Sequence, residues 1–143
     1  MESNWELEFM IPGNPVALKR HRTVKVGKFT KQYDPSEGDK GDFLAKAMQV
    51  KPDVPFDEPL KVNMHFFFKR PKAHFRTGKD AGFLKDSAPK WHTNIPDVDN
   101  LVKFVCDSLN GVFWLDDKCI CELTALKEYS TYPKIIIRIG KAK

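Results

Sequence analysis

The sequence predicts an α+β domain with a mixed or antiparallel sheet and two main helices, in the order β-α-β-α-β-β. Three observations predict it. Leu60–Phe68 and Ile135–Ile139 are short, strongly apolar runs of strand length. Stretches around Ser36–Val50 and Val98–Leu109 repeat their apolar residues at helical spacing. The chain has 143 residues, 41% of them hydrophobic, which favours one domain (1–143) with a sizeable core.

The elements follow in order. Asn4 to Ile11 alternates as a first strand, with Trp5, Leu7 and Phe9 on one face, and Pro12-Gly13-Asn14-Pro15 ends it. A basic arm follows, about 13–33 with its turn. Pro35 and Ser36 open a helix to about Val50, striped by Phe43, Leu44, Ala47 and Met48; Pro52 and Pro55 close it. Leu60–Phe68 is a strand with Val62, Met64, Phe66 and Phe68 on one face. Residues 69–95 make a long, basic, weakly periodic loop, and loops of that length in small domains are usually functional or mobile. Val98–Leu109 is a helix with Leu101, Val102, Val105 and Leu109 inward, Asp99 as its expected N-cap and Asn110-Gly111 as its stop. Strands are expected at 118–128 and 135–139.

Charge is segregated along the chain. Residues 9–33 hold six basic residues and no acid, and residues 61–95 hold eight basic against two acidic. Residues 97–128 reverse the sign, with seven acids and three lysines. A polyanion held by the basic parts and acted on at the acidic part fits this pattern; so, on charge alone, does a solvated surface. No apolar run approaches the ~20 residues of a membrane span. Glu2 and Glu6 stand where a secretory leader would need basic and then apolar residues, so no export signal is expected. The three cysteines are therefore expected reduced, in the cytoplasm.

The chemistry is concentrated in Pro96-Asp97-Val98-Asp99-Asn100-Leu101-Val102-Lys103 and the later pair Asp116-Asp117. Asp97 and Asp99 fall at the mouth of a helix, whose positive end favours carboxylates. Lys103 is one turn beyond Asp99 on the same face, although Lys103 and Asp107 also fit a surface i,i+4 pair. Oxygen ligands without His or Cys favour Mg²⁺ or Mn²⁺ over Zn²⁺. Cys119-x-Cys121 with Cys106 and His92 lacks the usual zinc spacing, so the thiols are expected in the core. His65 is expected to be structural and Trp114 to pack in the core. Two rings of Phe66-Phe67-Phe68 are expected in the core and one at a dimer face, while Phe75 and Trp91 are placed to stack on unpaired bases. His21 and His92 sit in basic segments and receive no role.

The pattern Pro96-Asp97-x-Asp99-Asn100-Leu101-x-x-Lys103, Asp107-x-Leu109, Phe113-Trp114-x-Asp116-Asp117 resembles the signature of RusA-type Holliday junction resolvases. These are small homodimeric endonucleases often carried by phages and prophages. The match covers about residues 96–128, with Lys127 and Tyr129 near its end, and Gly13-x-Pro15 with Lys19-Arg20-x-Arg22 matches the basic arm more loosely. The resemblance implies that Asp97, Asp99 and Asp117 are catalytic metal-binding carboxylates, with Asp116 an additional candidate and Lys103 the catalytic-site lysine. It implies Mg²⁺ (Mn²⁺ substituting), a four-way DNA junction as substrate, paired phosphodiester hydrolysis in recombination and repair, a homodimer and no membrane. Lys19, Arg20, Arg22, Lys25, Arg70, Lys72 and Arg76 are the expected DNA contacts. Two features depart from the pattern: Ile95 stands where many relatives carry a basic residue, and the 70–90 loop is longer. The rival readings are a nucleic-acid-binding protein whose carboxylates only support the fold, and a metal nuclease for flap DNA or structured RNA.

Overall fold

The computed structural model describes residues 4–143. Six strands and two helices form: β1 (Leu7–Pro12), β2 (Arg22–Val26), β3 (Phe29–Tyr33), α1 (Glu37–Ala47), β4 (Leu60–Lys69), α2 (Val98–Leu109), β5 (Ile120–Ser130) and β6 (Lys134–Lys141). The main sheet runs β1-β6-β4-β5. β6 is antiparallel to both β1 and β4, whereas β4 and β5 are parallel, so the sheet is mixed. This is the expected α+β class, with one addition. The basic arm is not wholly irregular: β2 and β3 pair as an antiparallel hairpin that joins no strand of the main sheet.

The period-two pattern of β4 decides which face is buried. Leu60, Val62, Met64, Phe66 and Phe68 point into the core, where Phe9 and Ile11 of β1 and Ile135, Ile137 and Ile139 of β6 join them. Phe43 and Ala47 of α1 and Leu101, Phe104, Val105 and Leu109 of α2 close that core from one side. Met48, expected in the α1 stripe, is instead exposed, because the helix tightens into a 3₁₀ turn at Met48–Val50 before Pro52. Glu37 and Asp39 begin α1 and Lys46 ends it, which matches the helix dipole at both ends.

The opposite face of the sheet is half-exposed. There His65 Nε2 lies 2.5 Å from Glu128 Oε2, and its ring stacks on Phe67 at 4.0 Å. Phe66 and Phe68 are buried and Phe67 is half-buried, so two of the three rings are in the core as expected.

α2 ends as its sequence predicts. Asn110 N donates to Cys106 O, and Gly111 adopts φ +81°, a left-handed value that favours glycine. The chain then folds back so that Phe113 and Trp114 are fully buried. Backbone bonds from Phe56 N to Phe113 O (2.9 Å) and from Leu115 N to Phe56 O (2.8 Å) pin that return. No described helix is long and apolar enough to cross a membrane.

Candidate active site

The first turn of α2 presents two carboxylates to solvent. Asp97, not Asp99, occupies the N-cap position: helical dihedrals begin at Val98, and Asp97 is extended at φ −69°, ψ 150°. Its carbonyl accepts from Leu101 N at 3.2 Å, yet its side chain makes no capping bond. Asp99 lies inside the first turn. Neither carboxylate is spent on the helix backbone, and both are exposed near its positive end.

The basic arm is fastened against this turn. Leu18 N donates to Asn100 O (3.2 Å), and Lys19 N donates to the hydroxyl of the buried Ser36 (2.8 Å). The result is an open cleft of about 530 Å³ lined by Leu18, Lys19, Arg20, His21, Asp99, Asn100 and Lys103. Lys103 and Asp99 thus share one face, as their spacing requires, and Lys19 and Arg20 join them. His21 is a wall of this cleft. Its only mark in the sequence is its place between Arg20 and Arg22.

Asp116 and Asp117 arrive on the return after Trp114. Asp116 Oδ1 accepts from Lys118 N at 3.0 Å and caps the short 3₁₀ turn Asp117–Cys119. That backbone bond, and then the hydrogen bond from Asp117, lower the Asp116 pKa. The Asp117 carboxyl is raised above its usual range, first by its hydrogen bond to Asp116, then by burial, then by the charges of Asp116 and Asp107. The buried Cys106 thiol is pushed up to about 12 by burial, with Asp117 and Asp107 adding to the shift. Asp117 therefore faces the second half of α2, whereas Asp99 and Lys103 line its first half. Among the described residues, no three of His, Cys, Asp or Glu are grouped so that they could hold a metal ion.

The raised Asp117 pKa has a definite sign. The fold favours the protonated carboxyl, so that stabilisation is complete below the unfolded value of 3.8 and is lost as pH rises through the folded value. At pH 7 the ionised pair is a repulsive contact. Asp117→Asn is therefore expected to raise the metal-free melting temperature at pH 7 by a few degrees at most, since the group is largely exposed. Melting curves at pH 7 and pH 5 check this; a lower melting temperature at pH 7 would contradict the repulsion.

The remaining predicted contacts divide. Arg22 and Lys25 are exposed on β2, and Lys72 is exposed on a 3₁₀ turn of the long loop. Arg70 turns inward, donating to Pro89 O (2.7 Å) with its guanidinium 5.5 Å from the Tyr129 ring. Arg76 donates to Leu84 O (3.2 Å) and Asp86 (3.1 Å). These two arginines brace the loop on itself. Phe75 is half-buried and bridges to Leu84, while Trp91 remains exposed with Lys90 Nζ 4.8 Å from its ring. Cys106 is buried as expected, but Cys119 is only half-buried and Cys121 is exposed, because Cys121 lies on the outer strand β5.

Residues 90–94 line the free edge of β5. His92 N donates to Lys127 O (3.2 Å), and Tyr129 N donates to Lys90 O (3.0 Å). The Asn94 amide donates to the Tyr129 hydroxyl (3.2 Å), and Lys127 Nζ donates to Asn94 O (2.8 Å) and Pro96 O (2.6 Å). His92, stacked on Phe68 at 3.9 Å, has its pKa lowered by burial first and by the Lys127 charge second.

Known proteins resemble this chain over most of its length. The family model described as Endodeoxyribonuclease RusA matches residues 12–140. The chain is also 30% identical over 139 residues to the uncharacterized protein YqaN of Bacillus subtilis strain 168, covering 93% of this chain and 94% of that one. The matched span takes in the basic arm, the long loop, the Asp97–Lys103 turn and the acidic pair, and the chain belongs to the RusA endodeoxyribonuclease family.

Proposed function

We propose that this chain is a divalent-metal-dependent endonuclease that resolves four-way DNA junctions, acting as a homodimer in recombination and repair. One observation carries the reading: Asp99 and Lys103 line a cleft together with the tethered Lys19 and Arg20, and Asp97 opens the same helix with its carboxylate uncommitted. Among the family's members, a cluster of this kind works on the DNA backbone.

The donor chemistry suits a hard cation, although the three carboxylates are not grouped around one point in this structure. Asp97 and Asp99 offer oxygens with no backbone claim on them, and Asp117 carries a repulsion that a cation would relieve. Bound Mg²⁺, or Mn²⁺ in its place, supplies a Lewis acid that activates water and polarises a phosphate. Asp97, Asp99 and Asp117 would hold it, with Asp116 beside Asp117 as an additional candidate. Lys103 stabilises charge developing on the phosphate oxygens. Lys19, Arg20, Arg22, Lys25 and Lys72 neutralise flanking phosphates, and Arg70 and Arg76 add their charge while shaping the loop. A two-fold pair of chains would bring two such sites to opposing strands of one junction. The half-exposed sheet face carrying Phe67 supports pairing of that kind. Three free cysteines, one exposed, suit a reducing cytoplasm.

The deciding experiment presents the protein with a four-way junction, a flap, a linear duplex and a structured RNA, with and without Mg²⁺. Paired nicks in the junction alone, only with metal, are expected. No cutting under Mg²⁺ or Mn²⁺, or equal cutting of linear duplex, overturns the proposal. Within the same assay, Lys103→Ala is expected to slow cleavage on the order of 100-fold while junction affinity changes by less than about threefold. Equal losses of rate and affinity would make Lys103 a simple DNA contact.

A further inference from the structure

The Asp97 carboxylate is borne by a segment with few holds of its own. Thr93, Asn94, Ile95 and Asp97 are all exposed, and Ile95 is 85% exposed, so apolar packing does little to fix this approach to α2. What does fix it comes from β5. The half-buried Lys127 ammonium donates to two main-chain carbonyls that flank Ile95, Asn94 O at 2.8 Å and Pro96 O at 2.6 Å. Both are short, charge-assisted bonds. Lys127 is itself held, because its carbonyl accepts from His92 N and its strand pairs with β4.

We infer that Lys127 is a positioning residue for the reaction: it locks the Asn94–Pro96 segment to the sheet and so sets where the Asp97 carboxylate stands. Asp97 lies between two fixed points. On one side Pro96 O is bound by Lys127, and on the other the Asp97 carbonyl receives the first hydrogen bond of α2 from Leu101 N. With both neighbouring peptides held, the backbone of Asp97 has little freedom, and its side chain leaves the backbone in one direction. The side chain is thereby presented without being used as a cap. The same bonds place a cation beside Ile95, where the chain itself has an apolar residue. This inference rests on the reading of Asp97 as a working carboxylate.

The chemistry of the bond explains why a lysine serves. An ammonium carries three donors and can serve two carbonyls that converge from different residues. A neutral, apolar replacement leaves both carbonyls without that partner, and the segment would swing toward water to satisfy them. Displacing a reacting group by about 1 Å is enough to cost on the order of 100-fold in rate.

The test compares Lys127→Met, which keeps the length and loses every donor, with Lys127→Arg, which keeps the charge and has N–H donors enough for both carbonyls. Amide hydrogen exchange is read at residues 93–98 in the metal-free protein, with β4 and β6 as internal controls for the fold. Junction cleavage is read at saturating DNA across a Mg²⁺ titration, and junction affinity is read without metal. Lys127→Met is expected to speed exchange at 93–98 by about tenfold or more while β4 and β6 stay protected. Its cleavage should fall on the order of 100-fold, with a higher Mg²⁺ midpoint and junction affinity nearly unchanged. Lys127→Arg should restore both readouts most of the way. Unchanged exchange, an unchanged Mg²⁺ midpoint, or a loss explained wholly by weaker junction binding overturns the inference. If Lys127→Met fails to fold, Lys127→Ala, which also loses every donor, takes its place under the same criteria. The exchange measurement needs no cleavage, so a wild-type protein that cuts no junction would sink the functional proposal while leaving the lock itself testable.

Discussion

Asp97→Asn is expected to bind a four-way junction as tightly as the wild type and to leave it uncut. The substitution removes one anionic oxygen from the candidate metal set and changes almost nothing else. The Asp97 side chain makes no capping hydrogen bond, and its backbone is held by Pro96 O and by its own carbonyl. Fold stability should therefore stay within about 0.5 kcal/mol, as for an exposed site away from structural contacts. Cleavage should drop on the order of 100- to 1,000-fold or more, since an electrostatic partner of the transition state is lost. Gel-shift titration in EDTA, single-turnover cleavage in Mg²⁺ and a thermal melt check the three parts. Full nicking activity in the variant would remove Asp97 from the site. A large loss of melting temperature would show that its role is structural.

The largest expected effect on stability is that of Trp114→Ala. Trp114 is fully buried, and its backbone carbonyl accepts from Gly111 N at 2.7 Å in the turn that brings Asp116 and Asp117 back beside α2. Truncating a buried Trp costs about 3–5 kcal/mol, a large part of the roughly 5–15 kcal/mol that holds a domain together. A fall in melting temperature of roughly 10–20 °C follows for a chain of this size. Trp114→Phe should cost far less. The indole N–H is buried with no partner among the described residues, so its removal forfeits none of the described hydrogen bonds and the ring change leaves only a modest void. Urea unfolding of both variants tests this; a Trp114→Ala protein within about 1 kcal/mol of wild type would mean that the site relaxes freely.

Some of this molecule can be read from its residues alone, for identifiable reasons. α2 has a one-sided apolar face, Leu101, Val105 and Leu109, and an Asn-Gly stop, and its observed span is Val98–Leu109 as predicted. β4 alternates because one face is in the core. The β2–β3 hairpin is less legible. Arg22–Tyr33 mixes β-branched and aromatic residues with cations, but both faces are exposed, so no burial rhythm marks it. The N-cap is displaced from Asp99 to Asp97, since either residue type suits the position and only the dihedrals decide. Family resemblance nominates Asp97, Asp99, Lys103 and Asp117 together. It does not say that Asp117 would face Cys106 and Asp107, because that follows from how the Gly111–Trp114 turn packs. Nor does residue pattern reveal that Lys127, distant in sequence, holds the approach to Asp97.

The solitary hairpin has a thermodynamic consequence. Two strands alone are at best marginally stable in water, and here they carry Arg22, Lys25, Lys28 and Lys31 with no acidic residue among them. Their mutual repulsion works against the pairing in the free protein. A polyanion laid along it removes that repulsion, so the hairpin and its ligand stabilise each other by linkage. Salt acts on both halves of the balance: it relieves the repulsion in the free ribbon and weakens the ligand that would otherwise do so. If DNA binds along it as proposed, the ribbon should become more ordered in the complex than in the free chain.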